Sequence, residues 1–146
     1  SKAPFINDNL IQKAQMYLTA ILEKLNYVGV LTVEFFVKGD LSSANEMAPR
    51  VHNSGHWTIE GAVTSQFENH LRAILDLPLG GVDPVGYSAM VNFIGDVPPM
   101  QKLLQIPAFH VHLYGKTPRP LRKLGHGTLC LEAEDVAKIL ETLNRL

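Results

Sequence analysis

The first part of the chain changes from helical spacing to a continuous apolar run. Asn7 or Asp8 can cap a helix running to about Leu25, because apolar residues recur at steps of three and four and form one face. Residues 27–37 are apolar with little alternation, which predicts a strand buried on both faces. A Lys-Gly-Asp turn signal precedes residues 41–47, the expected return strand. The pattern predicts a helix followed by a β-hairpin.

The second part shows a helix signal, a boundary signal and two further strands. Ser65 begins a capping-box pattern and an apolar-faced helix, which ends before the Pro- and Gly-rich residues 76–81. Residues 86–94 and 108–114 read as strands, and residues 132–146 as a terminal amphipathic helix. We therefore expect two units that meet near residue 80, one over residues 1–80 and the other over residues 81–146.

The composition limits the compartment and the kind of partner. The 146 residues are 46% hydrophobic with a net charge of −1, so no overall charge attracts the chain to nucleic acid or membranes. Cys130 is the single cysteine, which favours a reducing compartment, and we expect the cytoplasm. No apolar run reaches the roughly 20 residues of a bilayer span. The chain starts Ser-Lys-Ala-Pro, and we expect it to be a piece of a longer protein.

An acidic residue inside the apolar run is the first candidate for chemistry. A turn near residues 39–40 would place Glu34 opposite Asn45 or Glu46 on the return strand, where opposed Cβ atoms lie about 5 Å apart. Two carboxylates at that distance need a positive partner. A divalent cation completed by phosphate oxygens is one interpretation, and protonation or pairing with Arg50 is the other.

The loop after the hairpin, written APRVHNSGHW, concentrates polar groups. Its proline breaks a helix, and its glycine allows an irregular backbone. Arg50 can hold an oxyanion, with His52 and Asn53 as further donors. His56 and Trp57 fit packing or the rim of a site better. The alternative for the three polar groups is local hydrogen bonding.

Positive charge gathers in the second unit. No acidic residue occurs between Asp96 and Glu132, whereas five basic residues do: Lys102, Lys116, Arg119, Arg122 and Lys123. Such a cluster is typical of a phosphate site, and a solvated basic loop is the alternative. His110 and His112 share one face of the strand at 108–114, but no nearby acid or cysteine in the sequence completes a metal shell.

Several motifs together resemble a known family. VGVLTVEFF, NEMAPRVHNSGHWT, SQFENHLRAILDLPLG, HVHLYGK and RPLRKLGH follow one another as in the 5-(carboxyamino)imidazole ribonucleotide synthases of the ATP-grasp superfamily. A related ATP-grasp formyltransferase of the purine pathway has a similar Val-Glu motif and a similar loop, but it lacks the HNSGHWT motif. The resemblance covers nearly the whole chain.

The resemblance implies a reaction and a fold. These synthases join bicarbonate to aminoimidazole ribonucleotide with ATP and Mg²⁺, through carboxyphosphate. The implied fold is α+β: the C-terminal half of an ATP-grasp domain, with a mostly antiparallel sheet, followed by a small β-rich domain. The family suggests a homodimer and a missing N-terminal part that carries the rest of the ATP site, so the chain alone should be inactive.

The resemblance also assigns residues to the nucleotide and metal. Glu34 and Glu46 look like the Mg²⁺ ligands beneath the ATP phosphates, and Asn45 would contact the nucleotide. Leu121 departs from the family, which usually has glycine there, and Ser42 and Ser43 replace expected apolar residues.

A second set of residues is assigned to the other substrates. Arg50, His52 and Asn53 resemble the group that holds bicarbonate and stabilises carboxyphosphate. Lys116 and Arg122 look like the grip on the ribonucleotide 5′-phosphate. The rival function is a non-catalytic phosphate- or nucleotide-binding module that uses the basic loop alone.

Overall fold

The structure, a computed structural model, describes residues 2–3, 7–38, 41–132 and 141. Its strands and helices are β1 Lys2–Ala3, α1 Asp8–Leu25, β2 Thr32–Lys38, β3 Leu41–Ala48, α2 Thr58–Gly61, α3 Gln66–Ile74, β4 Tyr87–Ile94, α4 Met100–Leu103, β5 Phe109–Leu113 and β6 Lys123–Leu131. A 3-10 turn over Asn53–Gly55 precedes α2. Both sheets are antiparallel, which confirms the predicted α+β class. Within the described ranges, every helix is too short or too polar to span a bilayer.

Helix α1 begins and ends where the sequence predicts. The Asn7 side chain accepts a hydrogen bond from the Leu10 backbone N–H at 3.2 Å, and Asn26 ends the helix in the left-handed conformation. Leu10 is buried, whereas Tyr17 and Leu25 are 43% and 53% exposed. The apolar face of α1 is therefore only partly covered.

The hairpin of β2 and β3 differs from its prediction. Strand β2 begins at Thr32 rather than near residue 27, and Phe36 and Val37 are 67% and 52% exposed. The expectation of a strand buried on both faces is wrong. In the described chain the hairpin is a two-stranded sheet of its own. The Phe35 ring lies 6.5 Å from the Tyr17 ring of α1, whereas Phe36 and Val37, closer to the turn, lie exposed.

The second sheet has the order β1-β4-β6-β5 and carries the core. One face packs around Phe93, Leu103, Phe109 and Leu129, all less than 10% exposed. The predicted strands β4 and β5 are confirmed, but the central strand β6 was not predicted. The terminal helix predicted over residues 132–146 lies outside the described residues, apart from its positions 132 and 141, and stays a prediction.

The other face of this sheet is polar and packs against the segment between β3 and α3. Asn92 of β4 contacts Asn53, and His112 of β5 contacts Glu60. At the end of α2, a Cβ on Gly61 would collide with the Ser88 hydroxyl of β4, so glycine permits the close approach. This packing brings the polar loop and the second sheet together.

Candidate active site

Glu34 and Glu46 are directly opposed across the hairpin, as predicted. The register then shifts: Phe35 pairs with Ala44, which leaves Asn45 as the extra residue of a β-bulge. Bulges twist a strand locally and change where a side chain points. The two candidate metal ligands and the candidate nucleotide contact thus share one irregular point of the sheet.

His52 lies between the two carboxylates. Its Nδ1 is 3.7 Å from a Glu34 oxygen and its Nε2 is 3.6 Å from a Glu46 oxygen. The Ser54 backbone N–H points to Nδ1 at 3.3 Å, so Nδ1 is an acceptor and the proton of the neutral ring sits on Nε2, toward Glu46. Each of the three residues offers a ligand atom, and these atoms lie within 4.8 Å of one another.

This donor set fits a hard divalent cation. Carboxylate oxygens are the protein ligands that Mg²⁺ prefers, and two of them converge here with partial solvent access. The alternative of pairing with Arg50 receives no support, because its exposed guanidinium donates to the Val51 carbonyl at 3.0 Å. His52 is the basic group that the described residues place between the acids.

The loop is held by Gln66, which the sequence did not single out. Its side-chain oxygen accepts from the His52 N–H at 3.0 Å, and its nitrogen donates to the His52 carbonyl at 2.7 Å. A Cβ on Gly55 would lie 2.7 Å from the oxygen of the same amide, so a larger residue there would push the Gln66 side chain away from His52. The peptide of a candidate catalytic residue is therefore fixed from α3.

His56 packs, as predicted. Its ring stacks on Phe67 with centroids 5.2 Å apart and lies 5.2 Å from the His126 ring. Burial, followed by the charges of nearby basic groups, lowers the pKa of His56. The ring therefore favours its neutral form and acts as part of the packed interior of the loop.

Asn53 joins the loop to the second sheet. Its amide nitrogen donates to the Asn92 oxygen at 2.7 Å, and its oxygen accepts from the Asn92 nitrogen at 3.0 Å. Lys123 of β6 also donates to that oxygen, at 3.3 Å. Asn92 was not singled out from the sequence, and Lys123 was named only as a member of the basic cluster.

A second polar contact crosses the same interface. The His112 Nε2 lies 2.5 Å from a carboxylate oxygen of Glu60, and the His112 ring stacks on His126 with centroids 4.6 Å apart. The Tyr114 hydroxyl lies 2.7 Å from Nδ1 of His126. Burial, reinforced by His112 and His56, lowers the pKa of His126 to about 4. His112 thus pairs with an acid remote in sequence.

The predicted phosphate residues lie in the loop that joins β5 to β6. The Lys116 ammonium sits 4.9 Å above the Tyr114 ring, and the Arg122 guanidinium donates to the Thr117 carbonyl at 3.3 Å. Between them, Leu121 has a φ of 61° and is 91% exposed. A left-handed backbone at this position accounts physically for the glycine expected from the family pattern.

Comparisons with known proteins agree with this architecture. A family model described as the ATP-grasp domain matches residues 1–67. A second model, described as the phosphoribosylaminoimidazole carboxylase C-terminal domain, matches residues 88–140. Together they cover the hairpin and most of the second sheet.

Individual relatives agree as well. The chain is 59% identical over 117 residues to N5-carboxyaminoimidazole ribonucleotide synthase of Pseudomonas aeruginosa, a match covering 80% of this chain and 32% of that protein. The crystal structure of the Thermus thermophilus synthetase superposes with a TM-score of 0.92 at 55% identity, covering 99% of this chain and 39% of the other. An Aspergillus clavatus synthase, solved with ADP and 5-aminoimidazole ribonucleotide, gives a TM-score of 0.86 at 37% identity, covering 98% and 41%.

The fold and the paired carboxylates thus define a chain of the ATP-grasp class. Within that class, the chain belongs to the N5-carboxyaminoimidazole ribonucleotide synthase family, which confirms the resemblance drawn from its motifs. The chain spans 32% of the length of its Pseudomonas relative.

Proposed function

We propose that this chain supplies part of the active site of an ATP-dependent carboxylating ligase. The complete enzyme would convert 5-aminoimidazole ribonucleotide, bicarbonate and ATP to N5-carboxyaminoimidazole ribonucleotide, ADP and phosphate. The observation that carries the proposal is the Glu34–Glu46 pair, with His52 between the two carboxylates. The family membership supports the reaction, and the Aspergillus relative was solved with ADP and the ribonucleotide.

The hairpin would hold the metal and the nucleotide phosphates. Glu34 and Glu46 would bind Mg²⁺, and Asn45, displaced by the bulge, would contact the nucleotide. Bound Mg²⁺ would supply positive charge that neutralises the phosphate oxygens during phosphoryl transfer. Without a cation, the two facing carboxylates repel each other, so the hairpin is electrostatically prepared to take one.

The loop would serve bicarbonate and carboxyphosphate. The Arg50 guanidinium is exposed to solvent and can donate two parallel hydrogen bonds to an anion. The Nε2–H of His52 points toward Glu46, one of the proposed metal ligands. Arginine suits this task because its planar donors match a carboxylate or phosphate. We place Arg50 and His52 at the bicarbonate, with Asn53 in the same loop; fixed donors of this kind stabilise charge that develops in the transition state.

The loop between β5 and β6 would bind the ribonucleotide 5′-phosphate. Lys116, held above the Tyr114 ring, and Arg122, whose guanidinium bonds to the backbone of the same loop, are the proposed contacts. Contacts to the phosphate, away from the reacting atoms, position the substrate amine for attack and take no part in bond formation. We further propose a cytoplasmic homodimer, following the single cysteine and the family pattern.

A chimeric synthase tests the proposed function. This chain would replace the matching segment of the Pseudomonas aeruginosa synthase, to which it is 59% identical. The proposal predicts ADP formation that requires both aminoimidazole ribonucleotide and bicarbonate. Arg50→Ala in the chimera should lower turnover by about 10²–10³-fold, as loss of a transition-state donor does.

A different result would favour the non-catalytic module. A folded chimera that binds the ribonucleotide but forms no substrate-dependent ADP would contradict the proposal. Arg72→Ala is the matched control, because the Arg72 guanidinium bonds to Glu68 and to the Pro78 carbonyl, both outside the proposed site. The chimera with this change should keep normal turnover.

A further inference from the structure

The side-chain amide of Asn53 is engaged on both sides. Its nitrogen and oxygen exchange two hydrogen bonds with Asn92, at 2.7 and 3.0 Å. Its oxygen takes a further bond from Lys123, at 3.3 Å. Burial raises the pKa of the neighbouring Tyr114, and its interaction with the Asn53 side chain offsets part of that rise.

The contact with Lys123 fixes the orientation of both amides. A lysine ammonium can only donate, so the Asn53 atom that faces it must be the oxygen. The nitrogen of Asn53 is then turned to the oxygen of Asn92, and the second bond of the pair runs in the opposite direction. The amide pair therefore has one arrangement, in which Asn92 of β4 and Lys123 of β6 both bond to Asn53.

These bonds leave Asn53 little capacity for a ligand. An amide oxygen has two acceptor positions and an amide nitrogen has two donors. Asn92 and Lys123 occupy the oxygen, and Asn92 takes one of the two N–H donors of the nitrogen. One N–H of the Asn53 amide is therefore left for a small anion such as bicarbonate.

We propose that Asn92 is a positioning residue for the carboxylation site and that it acts through Asn53. This proposal rests on the proposed function. Asn53 directly follows His52, and Gln66 holds the peptide of His52 from the other side. The amide pair fixes the loop to the second sheet, so His52 is held between two anchors, one on α3 and one on β4. Asn53 then contributes by its placement, while Arg50 and His52 contact the reacting groups.

Kinetics of the chimera test the proposal. Asn92→Ala should lower kcat for ribonucleotide- and bicarbonate-dependent ADP formation by about 10- to 100-fold, as loss of a supporting hydrogen bond or a small misplacement does. The KM for ATP should change less than about twofold, because the amide pair is not part of the nucleotide site proposed here. Asn92→Asp keeps one acceptor for the Asn53 nitrogen and should restore part of kcat.

A double-mutant cycle shows whether Asn92 acts through Asn53. Asn53→Ala should lower kcat about as much as Asn92→Ala, and the double variant should lose no more than either single variant. Asn69→Ala is the matched control: its amide also makes two hydrogen bonds, to the backbone of Gly80 at 2.9 and 3.2 Å, away from the site. It should destabilise the protein without changing kcat.

Two results separate the proposal from the function on which it rests. If Asn92→Ala keeps the kcat of the Asn69→Ala control, or if the effects of Asn53→Ala and Asn92→Ala multiply in the double variant, the positioning role is overturned and the proposed function stands. If the folded, unmodified chimera forms no ADP that depends on ribonucleotide and bicarbonate, the proposed function itself is overturned.

Discussion

Glu60 of α2 and His112 of β5 form a short hydrogen bond of 2.5 Å between two parts of the chain that are 52 positions apart. The Glu60 side chain is only 13% exposed, so removal of His112 leaves a buried carboxylate without this partner. We expect His112→Ala to lower the free energy of unfolding by about 2 kcal/mol, the usual range for a hydrogen bond to a charged group. Urea denaturation at pH 7 measures it.

An exposed ion pair in the same chain is the comparison. Glu68 and Arg72 lie four residues apart on α3, with side chains 52% and 35% exposed. Arg72→Ala should lower the free energy of unfolding by less than about 1 kcal/mol, because both the helical pair and the further bond from Arg72 to the Pro78 carbonyl are exposed. Equal losses in the two variants would contradict the role given to burial at Glu60.

Leu121 adopts a left-handed backbone conformation, with φ at 61° and a side chain in solvent. This conformation brings the Cβ of a leucine close to the following carbonyl, whereas glycine adopts it freely. Leu121→Gly should therefore raise the free energy of unfolding by about 1 kcal/mol, despite the extra flexibility of glycine in the unfolded chain. Thermal unfolding of the two proteins measures the difference.

Leu104 provides the matched control for this substitution. It is also exposed, at 67%, but its φ is −73°, an ordinary helical value. Leu104→Gly should lower the free energy of unfolding by about 1 kcal/mol, because glycine then only adds flexibility to the unfolded chain. Destabilisation by both substitutions would show that Leu121 carries no backbone strain.

His126 should make stability depend on pH. Its pKa is lowered from the usual 6.5 to about 4, so between these values the unfolded chain binds more protons than the folded one. The contribution is complete above about pH 6.5, falls as the pH decreases, and is lost by about pH 4, with a full amplitude of roughly 3 kcal/mol. Urea denaturation between pH 4 and pH 7.5 measures it.

A variant isolates this contribution from other titrating groups. His126→Phe keeps an aromatic ring against His112 and His56 but cannot take a proton. Its free energy of unfolding should vary less between pH 4 and pH 6.5 than that of the unmodified chain. His110→Phe, at an exposed position of β5, should keep the original pH dependence. Unchanged dependence in His126→Phe would contradict the buried, neutral state of His126.

The two proposed anion sites should separate in the kinetics of the chimera. Lys116→Ala removes a phosphate contact that is equally strong in the ground state and the transition state. It should therefore raise the KM for the ribonucleotide with less effect on kcat. Arg50→Ala should act mainly on kcat. Ribonucleotide and bicarbonate are titrated separately. If Lys116→Ala changed only the dependence of the rate on bicarbonate, or if Arg50→Ala changed only the KM for the ribonucleotide, the assignment of the two anion sites would be wrong.

Local signals were enough to predict the parts of the fold that local chemistry determines. The Asn7 and Ser65 caps, the opposition of Glu34 and Glu46, and the packing role of His56 all follow from residue type and spacing. The Pro- and Gly-rich segments indicated where helices and strands end. The Lys-Gly-Asp turn signal predicted the register of the hairpin to within one residue. These features need no knowledge of distant contacts.

Long-range contacts explain what the sequence did not show. Strand β6 was missed because Gly125 and Gly127 weaken its pattern, yet a Cβ on Gly127 would collide with the ring of Phe109 on the next strand. Asn92 and Gln66 became visible only when the fold brought them to the loop. The burial of β2 was overestimated because an apolar run does not reveal whether another layer covers it.

The most direct test of the account is the metal pair in the chimeric synthase. Glu34→Gln and Glu46→Gln each remove one charge from a site that is partly exposed, so both proteins should fold normally. Glu68→Gln on α3 is the control for loss of an exposed carboxylate. ADP formation is measured with saturating ribonucleotide and bicarbonate while Mg²⁺ is titrated. We predict that turnover is abolished in both site variants and retained in Glu68→Gln; near-normal ADP formation in Glu34→Gln and Glu46→Gln would contradict the assignment.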